Sequence, residues 1–263
     1  MTAATRATSP WSLGDFHVIG AAHTLVGEML CEDCGLSAGK RVLDVACGSG
    51  NTALSAARRG CAVTGLDLVD KLIERARIRA KAEGFAIDFQ TGNAEQLPYE
   101  DESFDYVLST FGVMFASDQE RAANELLRVC KTGGTIGLSN WTMESYPGSM
   151  FGLAAKYSPP PAGTRAPTDW GTVPGLQRVF GRRVASMRLE DRCVHSRFSS
   201  ADEMLATFKE YFGPMRMLFE RVPAEQHSAL EKDLRDLILR YNRATDGTQT
   251  TAMSYINVMM PKR

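Results

Sequence analysis

No apolar run in this sequence reaches the roughly 18 residues that a membrane-spanning helix needs. No block of lysine and arginine stands out either. The short stretches "RRG" at 58–60 and "GRR" at 181–183 are too brief to count. The 30 basic and 31 acidic residues leave a formal net charge of −1. A nucleic-acid partner wants a concentrated basic face, so none is expected. There is one C-x-x-C, formed by Cys31 and Cys34, and no second pair to complete a zinc site. No strand precedes it, as a thioredoxin-type motif would require. The pair reads as two small residues at the end of a helix, and no metal is expected. Cys47, Cys61, Cys130 and Cys193 sit in apolar stretches and read as core or turn thiols. Free thiols suit a reducing, cytoplasmic setting. The opening "MTAATRATSPW" has no apolar segment behind its arginine. It reads as a short disordered tail and not as a signal peptide.

What is present is an alternation. "RVLDVA" from 41 is a near-continuous apolar strand, the pattern of a strand covered on both faces. "NTALSAARRG" follows as a small-residue helix closed by Gly60. "CAVTGLD" is a second strand, and "DKLIERARIRAKAEG" a helix with Asp70 as N-cap and Gly84 beyond its end. "AIDFQTG", "SFDYVLSTF" and "TIGLSNW" are further strands, with a helix capped at Asp118 before the last. Ahead of them all, "HVIGAAHTLVGEML" at 17–30 has helical spacing. Strand and helix in turn mean a parallel sheet wrapped on both faces, an α/β fold. The 263 residues suit one domain.

In such a sheet, ligands bind past the carboxyl ends of the strands, where strand order reverses. The first strand ends in "DVACGSGN", an acid followed by Gly48 and Gly50. A dinucleotide fingerprint allows alanine at its third position, so Ala53 does not exclude a nicotinamide cofactor. Asp44 discriminates better. A carboxylate at the mouth of a pyrophosphate site repels its ligand. A ligand with an ammonium and a sulfonium, such as S-adenosylmethionine, is attracted by it. Asp67 ends the second strand, where an acid can accept both ribose hydroxyls. Asn93, at the exit of the third strand, can meet an adenine amino group. No Tyr-x-x-x-Lys pair of a nicotinamide oxidoreductase follows: Tyr106 is followed four later by Thr110, and Tyr211 by Met215.

Four segments together, "VLDVACGSGN", "GLDLVDKLIERAR", "GNAEQLPYEDESFDYVLS" and "ELLRVCKTGG", resemble the class I S-adenosylmethionine-dependent methyltransferases. Within that class the chain is most similar to the group related to ubiquinone and menaquinone biosynthesis. The resemblance spans roughly residues 40–140. It implies a Rossmann-like, doubly wound seven-stranded sheet of order 3-2-1-4-5-7-6 with the last strand antiparallel. It implies that Asp44, Ala46, Cys47, Gly48 and Gly50 cradle the methionine end. Asp67 would hold the ribose, Leu68 would pack on the adenine, and Asn93 and Ala94 would frame it. Ser109, and Phe16 from the N-terminal segment, complete the expected cofactor side. The family often has glycine at position 46, aspartate at 93 and "KPGG" where "KTGG" stands here. A non-catalytic protein that keeps this fold is the alternative, but its mark would be a broken cofactor site, and Asp44, Gly48, Gly50 and Asp67 are intact.

The acceptor side is less defined. The position of an N-P-P-Y-type motif reads "STFGVMF", so amino-group methylation of bases is disfavoured and a small-molecule acceptor expected. After Trp141, the stretch 143–175 holds six prolines. The expectation is a short helix near 149–157, then an irregular loop. This segment (142–175) and the N-terminal 1–35, with Trp11, Phe16 and His17, would form a lid. The remainder, 142–263, would supply the acceptor-side cap and the last strands, including "RRVASMRLEDRCVHSRF" and "TAMSYINVMMPKR", with helices at 200–213 and 223–244. Phe111 and Met114 either face the methyl group or pack in the core. Any general base would come from the four histidines. His17 is the candidate, against a merely local hydrogen bond at a helix start. His23 and His227 read as helix-surface residues, and His195 lies on a strand.

Overall fold

The computed structural model describes residues 9–263. The first eight residues of the expected disordered tail lie outside these. The tail's last two residues, Pro10 and Trp11, belong to a 3-10 turn over Pro10–Ser12.

The N-terminal helix is not continuous. α1 (Phe16–Gly20) and α2 (Thr24–Asp33) are separated by a 3-10 turn over Ala21–His23. The turn ends at φ −104° and ψ 13° on His23. His23 is buried in the stripe of Ile19, Val26 and Leu30, the face on which i, i+3, i+4 spacing also puts it. Then follow β1 (Arg41–Val45), α3 (Asn51–Arg58), β2 (Ala62–Asp67), α4 (Asp70–Ala82), β3 (Asp88–Thr91) and β4 (Phe104–Thr110). Asp70 is the first residue of α4 and not its cap. Its charge still suits the positive helix end. The bonding role belongs to Asp67, whose Oδ1 accepts from the Val69 amide at 2.9 Å. α5 (Gln119–Val129) begins as expected, with the Asp118 carboxylate accepting from the Arg121 amide. β5 (Cys130–Trp141) starts earlier than expected, so "KTGG" lies within the strand.

The second half is more regular than its prolines suggest. α6 (Tyr146–Tyr157) and α7 (Val173–Phe180) each carry a proline in their first turn and a capping hydroxyl before it, from Ser145 and Thr172. β6 (Arg188–Phe198), α8 (Ala201–Tyr211), α9 (Gly213–Arg221), α10 (His227–Arg240) and β7 (Gln249–Pro261) complete the chain. Neither α7 nor α9 is expected from the sequence. Pro147, Pro174 and Pro214 start helices instead of barring them, because a first-turn residue has no intrahelical use for its amide hydrogen. A 3-10 turn over Pro167–Gly171 buries Trp170 completely. Tyr146 and Met150 are buried as well. Most of the expected lid segment is therefore a packed layer, and 158–166 is its longest stretch without regular structure.

The sheet has seven strands in the order β3-β2-β1-β4-β5-β7-β6. The first five are parallel, and β7 runs antiparallel to both β5 and β6. β1 lies between β2 and β4, with Asp44 level with Gly65 on one side and Leu108 on the other. Strand order reverses here, which puts the crevice above Val45. Cys193 is exposed on β6, so it is neither a core nor a turn thiol. Among the described residues, no helix is long and apolar enough to cross a membrane.

Candidate functional site

The turn after β1 is bent to an unusual degree. Ala46, Gly48 and Gly50 have φ of 55°, 54° and 86°. Left-handed backbone costs an alanine on the order of 1–2 kcal/mol, so something must hold it. Gly112, in the loop after β4, packs directly on it. A Cβ added to Gly112 would lie 2.6 Å from the Ala46 Cβ. The two crossover loops are thus locked together. Ser109 completes the lock. Its buried hydroxyl donates to the Val45 carbonyl at 2.7 Å and accepts from the Val113 amide at 3.0 Å.

Asp67 reaches the turn from β2. Its Oδ2 accepts from the Gly48 amide at 2.8 Å. The Asp67 carbonyl accepts from the Gly92 amide at 2.9 Å, which brings in the exit of β3. A Cβ on Gly48 would meet nothing within 4 Å, so the backbone faces open space there. Leu68 beside it is 52% exposed. Asn93 is exposed along the same edge, and its Oδ1 accepts from the Glu95 amide at 2.9 Å, leaving one lone pair. Ala94 packs against the main core. The carboxyl edges of β1, β2 and β3 therefore form one ledge carrying Gly48, Asp67, Leu68, Asn93 and Ala94.

Asp44 does not lie on this ledge. It is 1% exposed, under the turn, with Oδ2 accepting from the Ala53 amide at 2.8 Å and Oδ1 without a partner. The sequence-based expectation of direct contact with an ammonium is corrected here. The buried carboxyl braces the start of α3 from below. Burial, with the nearby Asp67 charge, raises its pKa to about 8, and burial also raises that of Asp67. Between pH 4 and 8 the folded state then holds a proton that the unfolded state has released, so stability falls as pH rises through that window. We expect the ligand-free wild type to lose stability from pH 5 to 8 relative to Asp44→Asn, by at most about 1.4 kcal/mol per pH unit. Denaturant melts of both proteins at each pH check this. Parallel curves would mean that Asp44 is ionised throughout. Cys47 is also buried beneath the turn, and burial pushes its thiol far up, which makes it inert.

The N-terminal segment lies across the turn. His17 Nδ1 is 2.9 Å from Ser49 Oγ, and Asn51 Nδ2 donates to the Gly20 carbonyl at 2.8 Å. Arg79 donates to the Ser49 carbonyl at 2.6 Å and to Asn51 Oδ1 at 2.7 Å, and Arg75 pairs with Asp15 at 2.9 Å. Burial, then Arg79 and Arg75, lower the His17 pKa against the opposing pull of Asp15. Sequence reasoning missed Ser49, Asn51, Arg75 and Arg79. The spacing of the two arginines, four apart on α4, was the available signal.

Phe16 lies among aromatic rings. It meets Trp11 at 5.3 Å and Phe212 at 6.3 Å between ring centroids, on the wall of a partly open cavity of about 40 Å³. Phe111 lines the same cavity, stacked on Trp141 at 3.5 Å. His23 lines it too, buried and not on the helix surface as expected. Met114 is fully buried in the core. His227 starts α10, with Nε2 2.9 Å from the Val222 carbonyl.

A model of the methyltransferase domain matches residues 43–138, the span from β1 to β5. This chain belongs to the methyltransferase family. The uncharacterized protein Rv1405c of Mycobacterium tuberculosis is 35% identical over 240 residues, covering 90% of this chain and 88% of that one. The methyltransferase GfsG of Streptomyces halstedii is 34% identical over 116 residues, 43% of this chain and 42% of its own. The YcgJ protein of Bacillus subtilis shares the fold, with a TM-score of 0.62 at 21% identity over 92% of this chain and 98% of that one. The methyltransferase chemistry depends on S-adenosylmethionine, and the nicotinamide alternative is set aside. The ledge fits that cofactor: it offers open space over Gly48, the Asp67 carboxylate bound to the Gly48 amide, and the exposed apolar side chain of Leu68.

Proposed function

We propose that the protein transfers the methyl group of S-adenosylmethionine to a small, largely apolar acceptor. In this reading Asp67 accepts from the ribose hydroxyls, and Leu68 and Ala94 pack against the adenine, with Asn93 at its amino group. The backbone of Gly48 and Gly50 allows close approach of the methionine end. Arg75, Arg79 and His17 fix the segment that covers it. When bound, the cofactor supplies a methyl group on a sulfonium. The protein's part is to orient the acceptor and keep water out. A cytoplasmic setting goes with this reading.

One observation carries it. The aromatic cavity is joined to the turn after β1 through consecutive residues, because Phe111 lines the cavity while Gly112 packs on Ala46. Apolar cavities with few polar groups are the usual shape of small-molecule sites. Incubation with S-adenosylmethionine and a panel of apolar small molecules should yield S-adenosylhomocysteine together with a product heavier by one methylene. Transfer to nucleic acid or protein, with no small molecule methylated, would contradict the proposal.

A further inference from the structure

Five buried side-chain atoms lack a hydrogen-bond partner among the described residues, and His23 Nε2 is one of them. It is the one that belongs to a residue lining the aromatic cavity. Its ring stands edge-on to Phe111 at 6.0 Å and to Trp141 at 5.6 Å. A buried polar group without a partner costs about 1–3 kcal/mol. Such a cost persists where the missing partner is a ligand. The geometry points to a planar, uncharged aromatic acceptor carrying a hydroxyl group, which hydrogen-bonds to His23 Nε2. This inference rests on the reading of the cavity as the acceptor site.

Three features support it. The flanking walls are rings: Phe111 on Trp141, and Trp11 with Phe16 and Phe212. Such rings favour flat π-systems through stacked and edge-on contacts. Burial lowers the His23 pKa to about 4, so the imidazole is neutral at working pH, with one N–H and one lone pair, either of which a hydroxyl can match. A cation or carboxylate on the acceptor would be left without a counter-charge, at heavy desolvation cost. At about 40 Å³ the cavity holds roughly three waters and no aromatic ring. Entry therefore requires Trp11 and Phe16 to move. Those two ride on the segment tied down by the Asp15–Arg75 pair and by the Asp15 amide on the Tyr211 carbonyl at 3.1 Å.

The probes are p-cresol and p-xylene, which match in shape and differ by one hydroxyl. Both are titrated by calorimetry into wild type, His23→Phe and His23→Gln, each saturated with S-adenosylhomocysteine. Wild type should bind p-cresol at least tenfold more tightly than p-xylene. His23→Phe should bind the two equally, and His23→Gln, which keeps an acceptor oxygen, should recover part of the preference. Equal affinities in wild type, no binding of either probe, or a preference that survives in His23→Phe would overturn the assignment. S-adenosylhomocysteine affinity serves as the control and should be the same in all three proteins. Its loss only in the variants would give His23 a role in the fold and overturn the assignment. A wild type unable to bind it would instead overturn the functional reading beneath.

Discussion

Asp67→Ala is expected to weaken S-adenosylhomocysteine binding by roughly 10- to 150-fold, the range of hydrogen bonds to a charged group. The expectation follows from what the carboxylate does before any ligand arrives. One oxygen accepts from the Gly48 amide at 2.8 Å and the other from the Val69 amide at 2.9 Å. These bonds aim the carboxylate along the ledge and hold the turn after β1. Alanine removes the proposed ribose acceptor and also leaves two amides without partners. Calorimetry on folded Asp67→Ala measures the loss. An affinity within twofold of wild type would remove Asp67 from the site.

The second large effect concerns the segment after β5. Trp170→Ala is expected to destabilise the protein by roughly 3–5 kcal/mol, as large-to-small changes at buried aromatic positions do. Trp170 is fully buried and stands edge-on to Phe180 of α7 at 5.5 Å. Gln119 anchors the same turn by donating to the Ala166 carbonyl at 3.2 Å. Trp170→Phe should cost much less, because it keeps a ring and removes an indole N–H that has no partner. Limited proteolysis of wild type should cut within 158–166 and spare 167–180. Denaturant melts showing Trp170→Ala within 1 kcal/mol of wild type, with cuts through α7, would mean that this segment is a loosely held lid.

The cofactor half was legible because its signals are local. A strand covered on both faces reads as a continuous apolar run, and an acid at its end reads as a crevice residue. The alternation of elements fixed a parallel sheet, and the family resemblance supplied its order and the antiparallel last strand. The acceptor half was less legible for two physical reasons. Proline carries opposite meanings inside a helix and in its first turn, so the start of α7 reads as loop and α9 is not anticipated. Histidine reads as a polar surface residue, although its spacing from Ile19, Val26 and Leu30 puts His23 on the buried stripe. Asp44 shows a subtler limit. The sequence places an acid at the strand end but does not show that Oδ1 lies out of reach beneath the turn. His17 was found by position, yet its neighbours Arg75 and Arg79 come from α4, distant in sequence, and make its surroundings cationic.

The central claim is that the ledge over Gly48 and Asp67 takes S-adenosylmethionine. The most direct test is a pair of calorimetric titrations of the wild-type protein, one with S-adenosylhomocysteine and one with NADH. Saturable binding of S-adenosylhomocysteine at one site per chain, with no heat from NADH beyond dilution, is the predicted result. Binding of NADH without binding of S-adenosylhomocysteine would contradict it.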